Sequence, residues 1–124
     1  MPVIQASNAV VHEMHGSRFV SYAASALGST ELCAWRSEIP AGTETPAHSI
    51  SREEVFLVLT GSVRLTRDGV PHHLSPGVVA LAPAGSTPKL DTLTESAVTI
   101  WVTTSIGLEG VFPDGSRVSP PWAR

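Results

Sequence analysis

Residues 42–61 read GTETPAHSISREEVFLVLTG. A polar, proline-broken half runs into Glu54–Thr60, where β-forming residues dominate. Strand side chains alternate between two faces, so if Glu54 points inward, Phe56, Val58 and Thr60 point with it and Val55, Leu57 and Leu59 take the other face. Both faces are then apolar, which calls for cover on the outer side by a second sheet, an arm or another subunit. The inward row also carries one carboxyl group. Loss of hydration there raises its pKa, and any neighbouring cation pushes it back down.

The surrounding chain repeats the pattern. RFVSYAASAL, ELCAWRSEI, EVFLVLTGSVRLT, VVALAP and AVTIWVTT are rich in valine, threonine, isoleucine and aromatics, and no window carries a helical stripe. Asp68-Gly69 stands between SVRLTR and VPHHL, the pair that best accepts the positive φ of a tight hairpin turn. Prolines at 40, 46, 71, 76, 83 and 88 and glycines at 42, 61, 69, 77 and 85 punctuate the segment at short intervals. The expectation is a sandwich or barrel of short antiparallel strands.

A chain of 124 residues accommodates one ordinary domain. With 42% hydrophobic residues, 15% charged residues and a net charge of −3, neither disorder nor a polyelectrolyte partner is indicated. The eight Lys and Arg are scattered, so nucleic-acid binding lacks its electrostatic footprint. No apolar run approaches the roughly 20 residues of a membrane span, and the N-terminus lacks a leader pattern, so a cytoplasmic protein without membrane partners is expected. The lone Cys33, in a strand-like context, reads as a core residue rather than a nucleophile. Past Thr104 the composition turns to Gly, Pro and Ser but retains Phe112 and Trp122. We expect a core barrel over about 30–104, an N-terminal arm over 1–18 and a tail over 105–124, both packed on the barrel or on a partner subunit.

From Gly42 to about Lys89 the chain resembles the cupin superfamily of double-stranded β-helix (jelly-roll) barrels. Gly42, His48, Glu54 and Gly61 fall at the spacing of the first cupin motif, with Pro46 where a proline is common, and Gly77, Pro83 and Gly85 fit the second. Ile50 stands where the family's second histidine belongs, Pro88 (with Lys89 beside it) where the third belongs, and Thr92 replaces the asparagine. What the resemblance implies is a small cupin whose metal-binding motif is degenerate, keeping only His48 and Glu54 as potential metal ligands. Two protein ligands fall short of the three or more usual in an enzyme's metal site, so no cofactor is expected, with a weakly bound divalent metal as the alternative.

Metal-free members of the family act as isomerases, cyclases and epimerases by proton transfer. The resemblance thus implies a small-molecule-binding barrel, an isomerase, cyclase or lyase, with Glu54 and His48 as a catalytic acid–base pair. The competing readings are a dioxygenase-like metalloenzyme with an atypical ligand set, a non-catalytic sensor module, and a buried His48–Glu54 pair with only a structural role. Ile50, Phe56, Trp35, Trp101, Pro88 and Lys89 are the expected cavity-lining residues. His72 and His73 are expected at the surface, His12 and His15 are not placed by the sequence, and Arg36 and Arg52 are candidate carboxylate clamps whose plainer role is to solvate an outer face. An outward apolar row and open sheet edges lead us to expect a homodimer.

Overall fold

The computed structural model describes residues 1–92 and 95–124. Its strands are β1 (Val10–Met14), β2 (Ser17–Ala23), β3 (Leu32–Ile39), β4 (Ser49–Ile50), β5 (Glu54–Thr60), β6 (Val63–Arg67), β7 (Val70–Leu74), β8 (Val79–Ala82), β9 (Pro88–Thr92), β10 (Val98–Ser105), β11 (Gly110–Val111) and β12 (Arg117–Val118). The helical elements among the described residues are three single 3₁₀ turns, at Ala6–Asn8, Ser25–Leu27 and Pro121–Ala123. None is long and apolar enough to cross a membrane.

Antiparallel pairing assembles a six-stranded sheet in the order β1-β2-β3-β10-β5-β8 and two three-stranded sheets, β12-β11-β4 and β7-β6-β9. This is the all-β architecture that the punctuation implied. The expected hairpin forms at Asp68 (φ 50°) and Gly69 (φ 84°), with Arg67 opposite Val70. Both turn residues carry the positive φ of a primed turn, which glycine adopts without a Cβ clash.

Register fixes what faces the interior. Trp35, Val102, Phe56 and Ala80 lie opposite one another across β3, β10, β5 and β8, and Ser37, Ile100 and Val58 form the next row. Ser37 apart, these side chains join Ile50 of β4, Val63 and Leu65 of β6 and Leu74 of β7 in one core that spans all three sheets. Ile100 has no exposed surface, so truncating it to alanine is expected to cost about 2–5 kcal/mol.

The alternation read from the sequence holds along β5: Glu54, Phe56 and Val58 are buried while Leu59 is exposed. Thr60, at the strand's end, is exposed despite its inward parity. Outside, Leu59 joins Val79 and Leu81 in an exposed apolar row. The N-terminal arm contributes β1 as the edge of the large sheet, and the tail contributes β11, β12 and the last 3₁₀ turn.

Cys33 is a core residue, with no exposed surface and its Sγ 3.7 Å from the carbonyl of Ala123. Burial, and secondarily the nearby Glu54 charge, push its thiol up to about 11, which suppresses the nucleophilic thiolate.

Candidate functional site

A cavity of about 570 Å³ opens between the inner face of the large sheet and the two smaller sheets. Its floor carries Trp35, Ser37 and Ile39 from β3, Glu54 and Phe56 from β5, and Val102 from β10. Pro88 and Leu90 of β9, Ile50 of β4 and the loop from Thr43 to Pro46 form the opposite wall. Aromatic and aliphatic carbon dominates, as in most small-molecule sites.

Glu54 begins β5 opposite Ala82, and Cys33 opposite Thr104 lies in the same inward row. The carboxyl is only 7% exposed, and no hydrogen bond or ion pair to its side chain is found among the described residues. Burial alone pushes it up to about 7, so near neutral pH it is divided between acid and carboxylate. That is the protonation state a general acid–base group needs.

His48 precedes β4, which is held by β11 and by backbone bonds from Ile50 to the 85–86 turn. Its ring lies against the backbone of Gly110, where an added Cβ would come 3.0 Å from Cδ2, and tilts against Phe112 with centroids 5.5 Å apart. Nδ1 is 3.2 Å from the carbonyl of Pro46. Since a carbonyl only accepts, Nδ1 carries the proton in this bond. His48 and Glu54 border one cavity, but among the described residues no hydrogen bond joins them. The two are polar groups sharing an apolar chamber, and the competing reading of a bonded structural pair has no such bond among the described residues.

Two expected cavity residues lie elsewhere. Trp101 is opposite Arg36 and Leu57 on the outer face, 5.5 Å from the Tyr22 ring, and its indole N–H donates to Thr103 Oγ1 at 3.2 Å. Strand parity decides this, because Ile100 and Val102 take the inward positions of β10. Lys89 also faces away from the chamber: Pro88 and Leu90 border the cavity, and the Lys89 ammonium donates to both oxygens of Asp91 at 2.7 and 2.8 Å. Trp35, Phe56, Ile50 and Pro88 border the cavity as expected.

Arg36 bonds Glu38 and Tyr22 on the outer face, and His72 and His73 are exposed on β7. His15, in the β1–β2 turn with φ 52°, borders the cavity, whereas His12 lies 6.3 Å from the Trp122 ring. Sequence reasoning missed Phe19, Ser37, Phe112 and Trp122 as lining residues. Ser37 shares the parity of Trp35 and Ile39, which was signal enough to find it. The tail aromatics carry no period to read.

Among the described residues no three His, Cys, Asp or Glu side chains are grouped to hold an ion, and the Ile50 and Pro88 side chains bordering the cavity offer no lone pair.

The fold and chamber define a double-stranded β-helix barrel with an internal cavity. The Cupin domain family model matches residues 35–103, and the chain belongs to that family. Among solved structures it is similar to the polyketide cyclase RemF of Streptomyces resistomycificus, at TM-score 0.76 and 17% identity over 90% of this chain and 86% of that one. It is also similar to a cupin-superfamily sugar phosphate isomerase of Silicibacter pomeroyi, at TM-score 0.70 and 16% identity over 94% and 92% of the two chains. Salicylate 1,2-dioxygenase of Pseudoaminobacter salicylatoxidans matches at TM-score 0.64 and 20% identity, over 72% of this chain and 25% of that enzyme. No curated protein matches the chain in sequence. At such identities the likeness carries the fold, and the three activities differ from one another.

Proposed function

We propose that the chain is a metal-independent cupin that moves a proton on a carbonyl-containing small molecule, in an isomerisation, cyclisation or elimination, with Glu54 as the acid–base group. The observation that carries this reading is the Glu54 carboxyl, buried on the cavity floor without an ion pair among the described residues and raised to about 7. As carboxylate it takes a proton from carbon next to a carbonyl, leaving an enolate and the neutral acid. The same proton then returns to a different carbon in an isomerisation, to the alkoxide oxygen formed when the enolate carbon closes on a second carbonyl, or to the departing oxygen when the enolate expels a leaving group. The similarity to a cyclase and an isomerase makes such chemistry admissible on this barrel.

Two other groups position the substrate in this reading. His48 Nε2 accepts a hydrogen bond from a substrate hydroxyl while the Pro46 carbonyl holds the ring. Ser37 Oγ accepts the Trp35 indole N–H at 2.9 Å, which leaves its own O–H to donate to a carbonyl. A dioxygenase-like reaction draws no support from the donor set.

The test is a substrate screen with enolisable ketones and β-ketoesters, followed by Glu54→Gln on the best substrate. Turnover is expected to fall by about 10²–10⁴-fold with binding retained, and to survive dialysis against a chelator. Full activity in Glu54→Gln, or its loss on chelation and recovery with one added metal, overturns the proposal.

A further inference from the structure

The last eight residues have a place in the cavity that the acid–base reading does not use. Residue 117 enters from β12, the edge of the β12-β11-β4 sheet, and the chain ends in the 3₁₀ turn Pro121–Ala123, packed on β1, β2 and β3 of the large sheet. The segment therefore bridges two sheets, and Val118, Pro120 and Trp122 border the cavity as it crosses.

Its far end is fixed at three points. Ala123 is fully buried with its carbonyl against Cys33 Sγ, the Ser25 amide donates to the Arg124 carbonyl at 2.9 Å, and the Arg124 guanidinium donates to the Ser119 carbonyl at 3.0 Å. Trp122 stacks on Phe19 of β2 with centroids 3.8 Å apart and planes 4° from parallel. Both rings border the cavity, so strand and tail together present a stacked aromatic wall.

We infer that Trp122 is a specificity-determining residue and that the wall it builds with Phe19 selects flat, unsaturated ring systems over puckered, saturated ones of the same skeleton. A flat ring continues a parallel stack with full face contact, whereas the axial hydrogens of a saturated ring hold most of its carbons off the indole face. The remaining aromatic surface, Trp35, Phe56 and Phe112, gives such a ligand further walls. The inference rests on the barrel being a ligand cavity and is independent of whether Glu54 transfers a proton.

The experiment compares two probes by calorimetric titration, 2-naphthol and decahydro-2-naphthol, which share a carbon skeleton and a hydroxyl group. Wild-type protein is expected to prefer the flat probe by about 3- to 10-fold. Trp122→Leu is expected to abolish that preference, whereas Trp122→Phe, which keeps a ring on Phe19, retains most of it. Cys33, sealed beneath Ala123, reports with an aromatic disulfide whether the segment stays docked, and in Trp122→Phe it is expected to stay as unreactive as in wild type. Equal affinity of wild type for the two probes, an unchanged preference in Trp122→Leu, or a loss in Trp122→Phe as large as in Trp122→Leu overturns the inference. Glu54→Gln, run in parallel, is expected to keep the preference while losing turnover, so a failure of the proton-transfer reading appears in a different variant and a different measurement.

Discussion

Glu54 and Asp91 are both carboxylates withdrawn from water, 7% and 3% exposed, and the barrel holds them in opposite ways. Around Asp91 burial pushes the carboxyl up, but the Lys89 ammonium, the Thr45 amide and the Arg64 guanidinium outweigh it and hold the group below its usual range. Around Glu54 nothing opposes burial, and the group rises to about 7. Concealment alone therefore does not set a carboxylate's role; its partners do. Asp91 fastens the Thr43–Thr45 loop to β9, whereas the Glu54 carboxyl has no hydrogen-bond partner among the described residues.

The sharpest test is stability against pH. Glu54 binds its proton more tightly in the native than in the unfolded chain, so its contribution is fully present below about 4.5 and lost as pH rises through about 7, a fall of about 3 kcal/mol. Asp91 contributes in the reverse sense, with stability present above the unfolded carboxylate pKa and lost in acid as it protonates. Chemical denaturation at intervals from pH 3 to 8 is expected to show both limbs, and Glu54→Gln to flatten the one between 4.5 and 7. A limb that persists in Glu54→Gln breaks the comparison.

Next in size is Asp91→Ala, expected to cost about 2 kcal/mol, because the Thr45 amide loses a charged acceptor and two cations lose their counter-charge. Glu54→Gln at pH 8 is expected to be neutral or stabilising in the same urea titrations. The smallest effect is expected for Lys89→Met, below about 1 kcal/mol, since the lysine is 31% exposed and Arg64 remains on the carboxylate. If Lys89→Met proves as damaging as Asp91→Ala, the ammonium is the anchor and the account of Asp91 needs revision.

Much of this was legible in the sequence. The parity of Glu54, Phe56 and Val58, the Asp68-Gly69 turn and the inward Trp35 all follow from a period of two and from turn chemistry, which are local. Trp101 and Lys89 were misplaced because each stands in a strand whose inward parity is decided by its partners: Val102 lies opposite both Trp35 and Phe56, and Lys89 has Asp91 two residues on. The wall made by Phe19 and Trp122 was out of reach, because it joins residues at opposite ends of the chain through the path of an irregular tail. Likewise the motif put His48 and Glu54 on one cavity, but the bond between His48 and the Pro46 carbonyl is one that no spacing announces.

The unpartnered carboxyl on an apolar floor also couples two equilibria. A ligand that excludes water from the chamber favours the neutral acid still further, so near pH 7 its binding draws a proton from solution, and by reciprocity the proton tightens the ligand. Occupancy of the barrel would then be a function of acidity even for a ligand that never ionises, with Glu54 as the group that takes up the proton.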